Sequence, residues 1–156
     1  MARSNRQLTQ FAVDTLRELL DSKAFCEARS AGNTQVYSVP SGGQVRYGVA
    51  LFGEEILRLV TDATSHSIAG ISVSTGNFYD SKGRPSRTTR ERLNGLLDLL
   101  GDRGIIPEGT RVFLTDDGCR VGKGDQSQPL DKDNPAVSLL TSFKQIPDSI
   151  IAKGLV

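Results

Sequence analysis

The sequence predicts an α+β fold in which an antiparallel β-meander sheet packs against two α-helices, with a C-terminal tail after a flexible linker. Three observations lead there. Apolar residues recur at helical spacing near both ends of the first hundred residues, short β-like runs separated by turn residues fill the stretch between them, and a polar stretch precedes an apolar end.

Leu8, Phe11, Ala12, Leu16, Leu19 and Leu20 form the first stripe, with Asp14, Arg17, Glu18 and Asp21 mostly between them. Ser4 followed by Gln7 fits a capping box, with Thr9 as an alternative start one turn later. From Ala24 to Thr75 the pattern changes to runs at Ala24 to Arg29, Gln35 to Val39, Val45 to Phe52, Ile56 to Val60 and Ile68 to Thr75. Their separators, Ala31-Gly32-Asn33, Pro40-Ser41-Gly42-Gly43, Gly53-Glu54-Glu55 and Asp62 to His66, supply the turn chemistry of antiparallel hairpins. In the last run Ile71 and Val73 alternate with Ser72 and Ser74, so that strand has one dry and one wet face.

Thr88 and Glu91 read as a second capping box, followed by the stripe Leu93, Leu96, Leu97 and Leu100 and a stop near Gly101. Arg111 to Thr115 and Cys119 to Val121 flank Asp116-Asp117-Gly118, a hairpin signal that adds a final pair of strands to the sheet. Residues 1–121 therefore read as one α+β domain and the polar residues 122–135 as a linker. Residues 136–156, with Val137, Leu139, Leu140, Phe143, Ile146, Ile150 and Ile151, must dock. They pack on their own domain or are donated to a neighbouring subunit, which would make a homo-oligomer.

At 156 residues the chain can bury one hydrophobic core without metals or disulfides. Nineteen basic and 18 acidic side chains leave a net charge of +1, so any electrostatic function has to be local. No apolar run is long enough for a membrane span, and Met-Ala-Arg-Ser-Asn-Arg-Gln lacks a secretory apolar stretch. The expected location is cytoplasmic, in the host cell if the protein is viral, with no membrane partner. Cys26 and Cys119 lack metal or redox spacing and read as two small buried hydrophobes, although neighbouring strands could bring them together.

Ser74 to Asn94 is the segment with chemical content. Lys82, Arg84, Arg87, Arg90 and Arg92 gather around the start of the second helix, with Glu91 the single acid between Lys82 and Arg92. A helix N-terminus carries partial positive charge, so arginines there are unfavourable unless an anion arrives. Lys82, Arg84, Arg87 and Arg90, with the hydroxyls of Thr88 and Thr89, could bind phosphate, and Phe78 or Tyr79 could stack on a base. The alternative is a surface helix whose arginines pair with Glu54, Glu55, Asp80 or Asp98, and with the two rings as loop anchors.

Thr88-Thr89-Arg90-Glu91-Arg92-Leu93-Asn94 follows Ser74-Thr75-Gly76 and, further upstream, Val36-Tyr37-Ser38-Val39 and Arg46-Tyr47-Gly48. From Tyr37 to Phe113 the chain resembles small phage and plasmid proteins that place a Thr-Thr-Arg-x-Arg-Leu-Asn element after a sheet. The resemblance implies an accessory role in a virus or mobile element and carries over no catalytic residue.

Catalytic and metal signatures do not assemble. His66 reads as a solvated turn residue, and Ser72 and Ser74 lie outside any GxSxG elbow. Asp116-Asp117 belongs to a turn, and Asp131-Lys132-Asp133-Asn134 lacks the glycine and terminal glutamate of a calcium loop. The expectation is a non-enzymatic protein without cofactor or metal that binds a nucleic acid or nucleotide. Its rival is a protein–protein module acting through residues 136–156, as an inhibitor of a host protein or a virion subunit.

Overall fold

The computed structural model describes residues 3–139. Helical spacing near the start produces α1 (Asn5–Ser22), entered through the expected capping box. The Ser4 hydroxyl accepts from the Gln7 N–H at 3.2 Å, and the Gln7 side chain accepts from the Ser4 N–H at 2.8 Å. Two helix donors that would otherwise lack partners are thereby satisfied.

The hairpin runs become β1 (Glu27–Ala31), β2 (Thr34–Ser41), β3 (Gln44–Leu51), β4 (Glu54–Asp62) and β5 (Ile68–Ser74), an antiparallel meander. The short strand β9 (Ala136–Ser138) closes the far edge against β5, giving six strands in the order β1-β2-β3-β4-β5-β9. Val36, Val49, Leu57, Val73 and Val137 stand opposite one another across the sheet, and all are buried toward the helices. One residue along, Tyr37, Gly48, Arg58, Ser72 and Ser138 line the other face, as the period of two requires. Gly48 has to be glycine, because a Cβ there would lie 2.4 Å from the Tyr37 ring.

The second helix, α2 (Arg87–Asp102), begins one residue before the expected Thr88 cap. Ser86 caps it instead, accepting from the Thr89 N–H at 3.2 Å. A capping box at Thr88 would need the Glu91 carboxylate to turn back, and that carboxylate is held by Arg87 and Asn5. Leu93, Leu96, Leu97 and Leu100 are buried as the stripe predicts. At Gly95 a Cβ would lie 2.5 Å from Thr9 Cγ2, so the missing side chain sets the close approach of α1 and α2.

Beyond α2 the structure departs from expectation twice. β6 (Arg111–Thr115) and β7 (Gly118–Lys123) do pair around the Asp116-Asp117 turn, but with β8 (Gln126–Pro129) they form a separate three-stranded sheet. The Asn94 side chain of α2 donates to the Val112 carbonyl at 3.1 Å and accepts from the Val112 N–H at 2.7 Å. β6 is thus fastened to the helix and does not extend the main sheet. The polar stretch 122–135, read as a linker, instead holds the end of β7, strand β8 and the fully buried Leu130. Arg120 clamps this hairpin from Nε to Ser127 Oγ at 2.8 Å and from Nη2 to the Ser127 carbonyl at 2.7 Å.

The start of the apolar tail lies on its own domain, with Val137 and Leu139 buried. The expected docking or exchange of 136–156 otherwise concerns residues 140–156, which lie outside the described residues. No helix among the described residues is long and apolar enough to cross a membrane.

Candidate functional site

The basic segment occupies the loop from β5 into α2, and most of its charge is answered from within. Asp80 organises the turn: its Oδ1 accepts from the Lys82 and Arg84 N–H groups at 2.9 and 3.1 Å, and its Oδ2 accepts from Arg84 Nε at 2.8 Å. Burial alone would raise the Asp80 pKa, but the bonds from Arg84 and Lys82 outweigh it and hold the carboxyl below its ordinary value. Arg87 Nε donates to Glu91 Oε1 at 2.8 Å one turn along the helix, and Arg90 Nε donates to the Pro85 carbonyl at 3.0 Å. Thr89 is fully buried and shares a hydrogen bond with the Ser86 hydroxyl.

Of the expected phosphate-binding set, Lys82 and Arg87 face outward and Thr88 is partly exposed, while Arg84, Arg90 and Thr89 are committed to their own chain. The aromatic pair acts as loop anchors. Phe78 packs on Phe52 with ring centroids 5.3 Å apart, and the Tyr79 hydroxyl accepts from Thr75 Oγ1 at 2.9 Å. The unfavourable placement of arginines beside a helix N-terminus, which called for an anion, is relieved by Asp80 and Glu91.

Arg92 leaves the cluster altogether. It is fully buried, donating from Nε to Thr9 Oγ1 at 3.0 Å, from Nη2 to Asn5 Oδ1 at 2.7 Å and from Nη1 to Thr34 Oγ1. It joins α1, α2 and β2 and has no route to an external partner.

The two cysteines are separate in character. Cys26 is exposed, contrary to expectation, because it lies just before the edge strand β1, and only Cys119 is buried. The Asp131 to Asn134 segment closes on itself, Asp131 Oδ1 accepting from the Asp133 and Asn134 N–H groups at 2.9 Å each. No cluster of three or more His, Cys, Asp or Glu side chains able to hold a metal occurs among the described residues.

No protein family, curated protein or solved structure matches the chain. Its own geometry is the remaining guide.

That geometry includes a cavity of about 260 Å³ at the opposite ends of the helices. Leu20 and Lys23 close it from the end of α1, Arg103 and Ile105 from the end of α2, Tyr47 and Thr61 from the sheet, and His66 and Ile68 from the turn between β4 and β5. Tyr47 stands opposite Leu59 and Thr61 opposite Val45, so both hydroxyl-bearing side chains are on the helix-facing side. A β-bulge between Val60 and Thr61 shifts the β4–β5 register beside Ile68, the kind of irregularity that re-aims side chains near sites.

Tyr47 and Thr61 are largely buried as residues, but their hydroxyl oxygens remain accessible and have no hydrogen-bond partner among the described residues. Burial pushes the Tyr47 phenol above its ordinary pKa, so it remains a neutral O–H donor. Lys23 and His66 are exposed at the mouth and both adopt left-handed backbone, φ 53° and 62°. Lys23, Tyr47, Thr61 and Arg103 carried no signal of a shared site in the sequence. The one available hint was a lysine directly after the α1 stripe, where a glycine commonly ends a helix.

Proposed function

We propose that this chain is a non-enzymatic binding protein that holds a small organic molecule in the cavity beneath the C-terminal ends of α1 and α2. The observation that supports this reading is the pair of hydroxyl-bearing side chains, Tyr47 and Thr61, that line the cavity with no hydrogen-bond partner of their own among the described residues. A ligand that brings its own polar group can hydrogen-bond to these free hydroxyls, and the apolar walls formed by Leu20, Ile68 and Ile105 reward its body.

A thermal-shift screen of small fragments tests the proposal. Compounds that raise the melting temperature of the natural protein should lose that effect on Tyr47→Phe/Thr61→Val, which removes both hydroxyls with little change of volume. The opposing result is stabilisation only by nucleotides or oligonucleotides that disappears in Lys82→Ala/Arg87→Ala. That pattern would return the function to the outward cations of the basic segment.

A further inference from the structure

Resting on the cavity reading, we infer that the ligand is a small organic anion: a carboxylate at the mouth, an apolar body along the walls and a second polar group at the floor. The charge pattern comes first. Among the described residues no acidic side chain lines the cavity, whereas Lys23, His66 and Arg103 all do. Arg103 is already engaged by Asp21 at 2.7 Å, but the Lys23 ammonium has no partner among the described residues. Asp62 lies near His66, and its Oδ1 is occupied by the N–H groups of Thr64 and Ser65 at 2.9 and 2.8 Å.

Two helix C-termini beside the cavity would ordinarily oppose an anion, since bare carbonyls carry partial negative charge. Here the chain caps them itself. Ala24 N–H donates to the Leu19 carbonyl at 2.9 Å and Lys23 N–H to Leu20 at 3.2 Å, while Ile105 N–H donates to Leu100 at 2.9 Å and Gly104 N–H to Gly101 at 3.0 Å. Both helices end in this paired closure, which occupies two carbonyls in the last turn of each and so reduces the exposed negative end.

Backbone strain points the same way. Lys23 and His66 are two of the four non-glycine residues with positive φ among the described residues, and they share one cavity mouth. Glycine or asparagine would sit there more easily. A cationic or titratable side chain at each position, held at that cost, is the arrangement a carboxylate needs.

Depth sets the rest of the ligand. The exposed Lys23 and His66 mark the mouth, and the largely buried residues Tyr47 and Thr61 mark the floor. Between them a volume of about 260 Å³ corresponds to roughly nine waters at about 30 Å³ each, so the ligand has on the order of ten non-hydrogen atoms.

Calorimetric titration with four probes tests this on the full chain: 4-hydroxyphenylacetate, its neutral amide, the cationic tyramine, and phenylacetate without the hydroxyl. The acid should bind about tenfold more tightly than the amide or the amine, the scale of one charge-assisted hydrogen bond. Lys23→Gly should erase that preference, and Tyr47→Phe/Thr61→Val should erase the preference over phenylacetate. Equal binding of acid and amide, lost in the Tyr47 and Thr61 variant, overturns the anion assignment while leaving the cavity as the site. Phenylacetate matching the hydroxylated acid overturns the floor contact, and failure of all four probes to bind overturns the inferred ligand and counts against the cavity itself.

Discussion

Arg92 on α2 donates from Nη2 to Asn5 Oδ1 on α1 at 2.7 Å, and the same amide donates from Nδ2 to the Glu91 carboxylate. A guanidinium with no carboxylate in direct contact is therefore balanced at one remove, while Thr9 and Thr34 take its other donors. Arg92→Ala should cost roughly 3 kcal/mol or more, because it removes charge-assisted hydrogen bonds and opens a void in the core. Arg92→Lys should recover little, since an ammonium cannot present a planar fork to acceptors on three elements. Urea denaturation of the two variants checks both outcomes.

Gly95→Ala should destabilise the protein, although alanine is the better helix former by about 1 kcal/mol. The added methyl would press on Thr9 Cγ2, and Thr9 is also an acceptor for Arg92. Packing outweighs propensity, with an expected net loss of about 1–3 kcal/mol measured by the same denaturation.

Lys23→Gly should move stability the other way. Relief of a left-handed lysine at the end of α1 is worth about 1 kcal/mol, so the melting temperature should rise while binding in the cavity weakens. A variant that is less stable than the natural protein would show that Lys23 has a structural role.

Burial pushes the Cys119 thiol up to about 11, while Cys26 is exposed. A thiol-disulfide reagent at pH 8 should therefore titrate one cysteine in the folded protein, and the second only after unfolding, because the thiolate is the reactive form. Cys26→Ser should abolish the native reaction.

Much of the fold was legible because its signals are local. The turns Gly32-Asn33 and Gly42-Gly43 and the alternation around Ile71 and Val73 each specify a hairpin or a face without distant help. β8 was missed because Gln126-Ser127-Gln128 is polar and Pro129 is a poor strand former, the pairing being secured by Gly122 and the Arg120 clamp and not by an apolar face. The basic segment was misleading for a related reason. Sequence shows that Arg84 follows Asp80 by four residues, but only the folded turn shows both Asp80 oxygens facing it. The cavity was invisible because its lining is assembled from residues spread between Leu20 and Ile105, joined by the closure of two helices over one end of the sheet.

The location of the site can be read by amide NMR mapping of a fragment that raises the melting temperature. Perturbations should concentrate at Leu20, Lys23, Thr61, His66, Ile68 and Ile105. Perturbations gathered at residues 82–90, with the cavity amides unmoved, would contradict it.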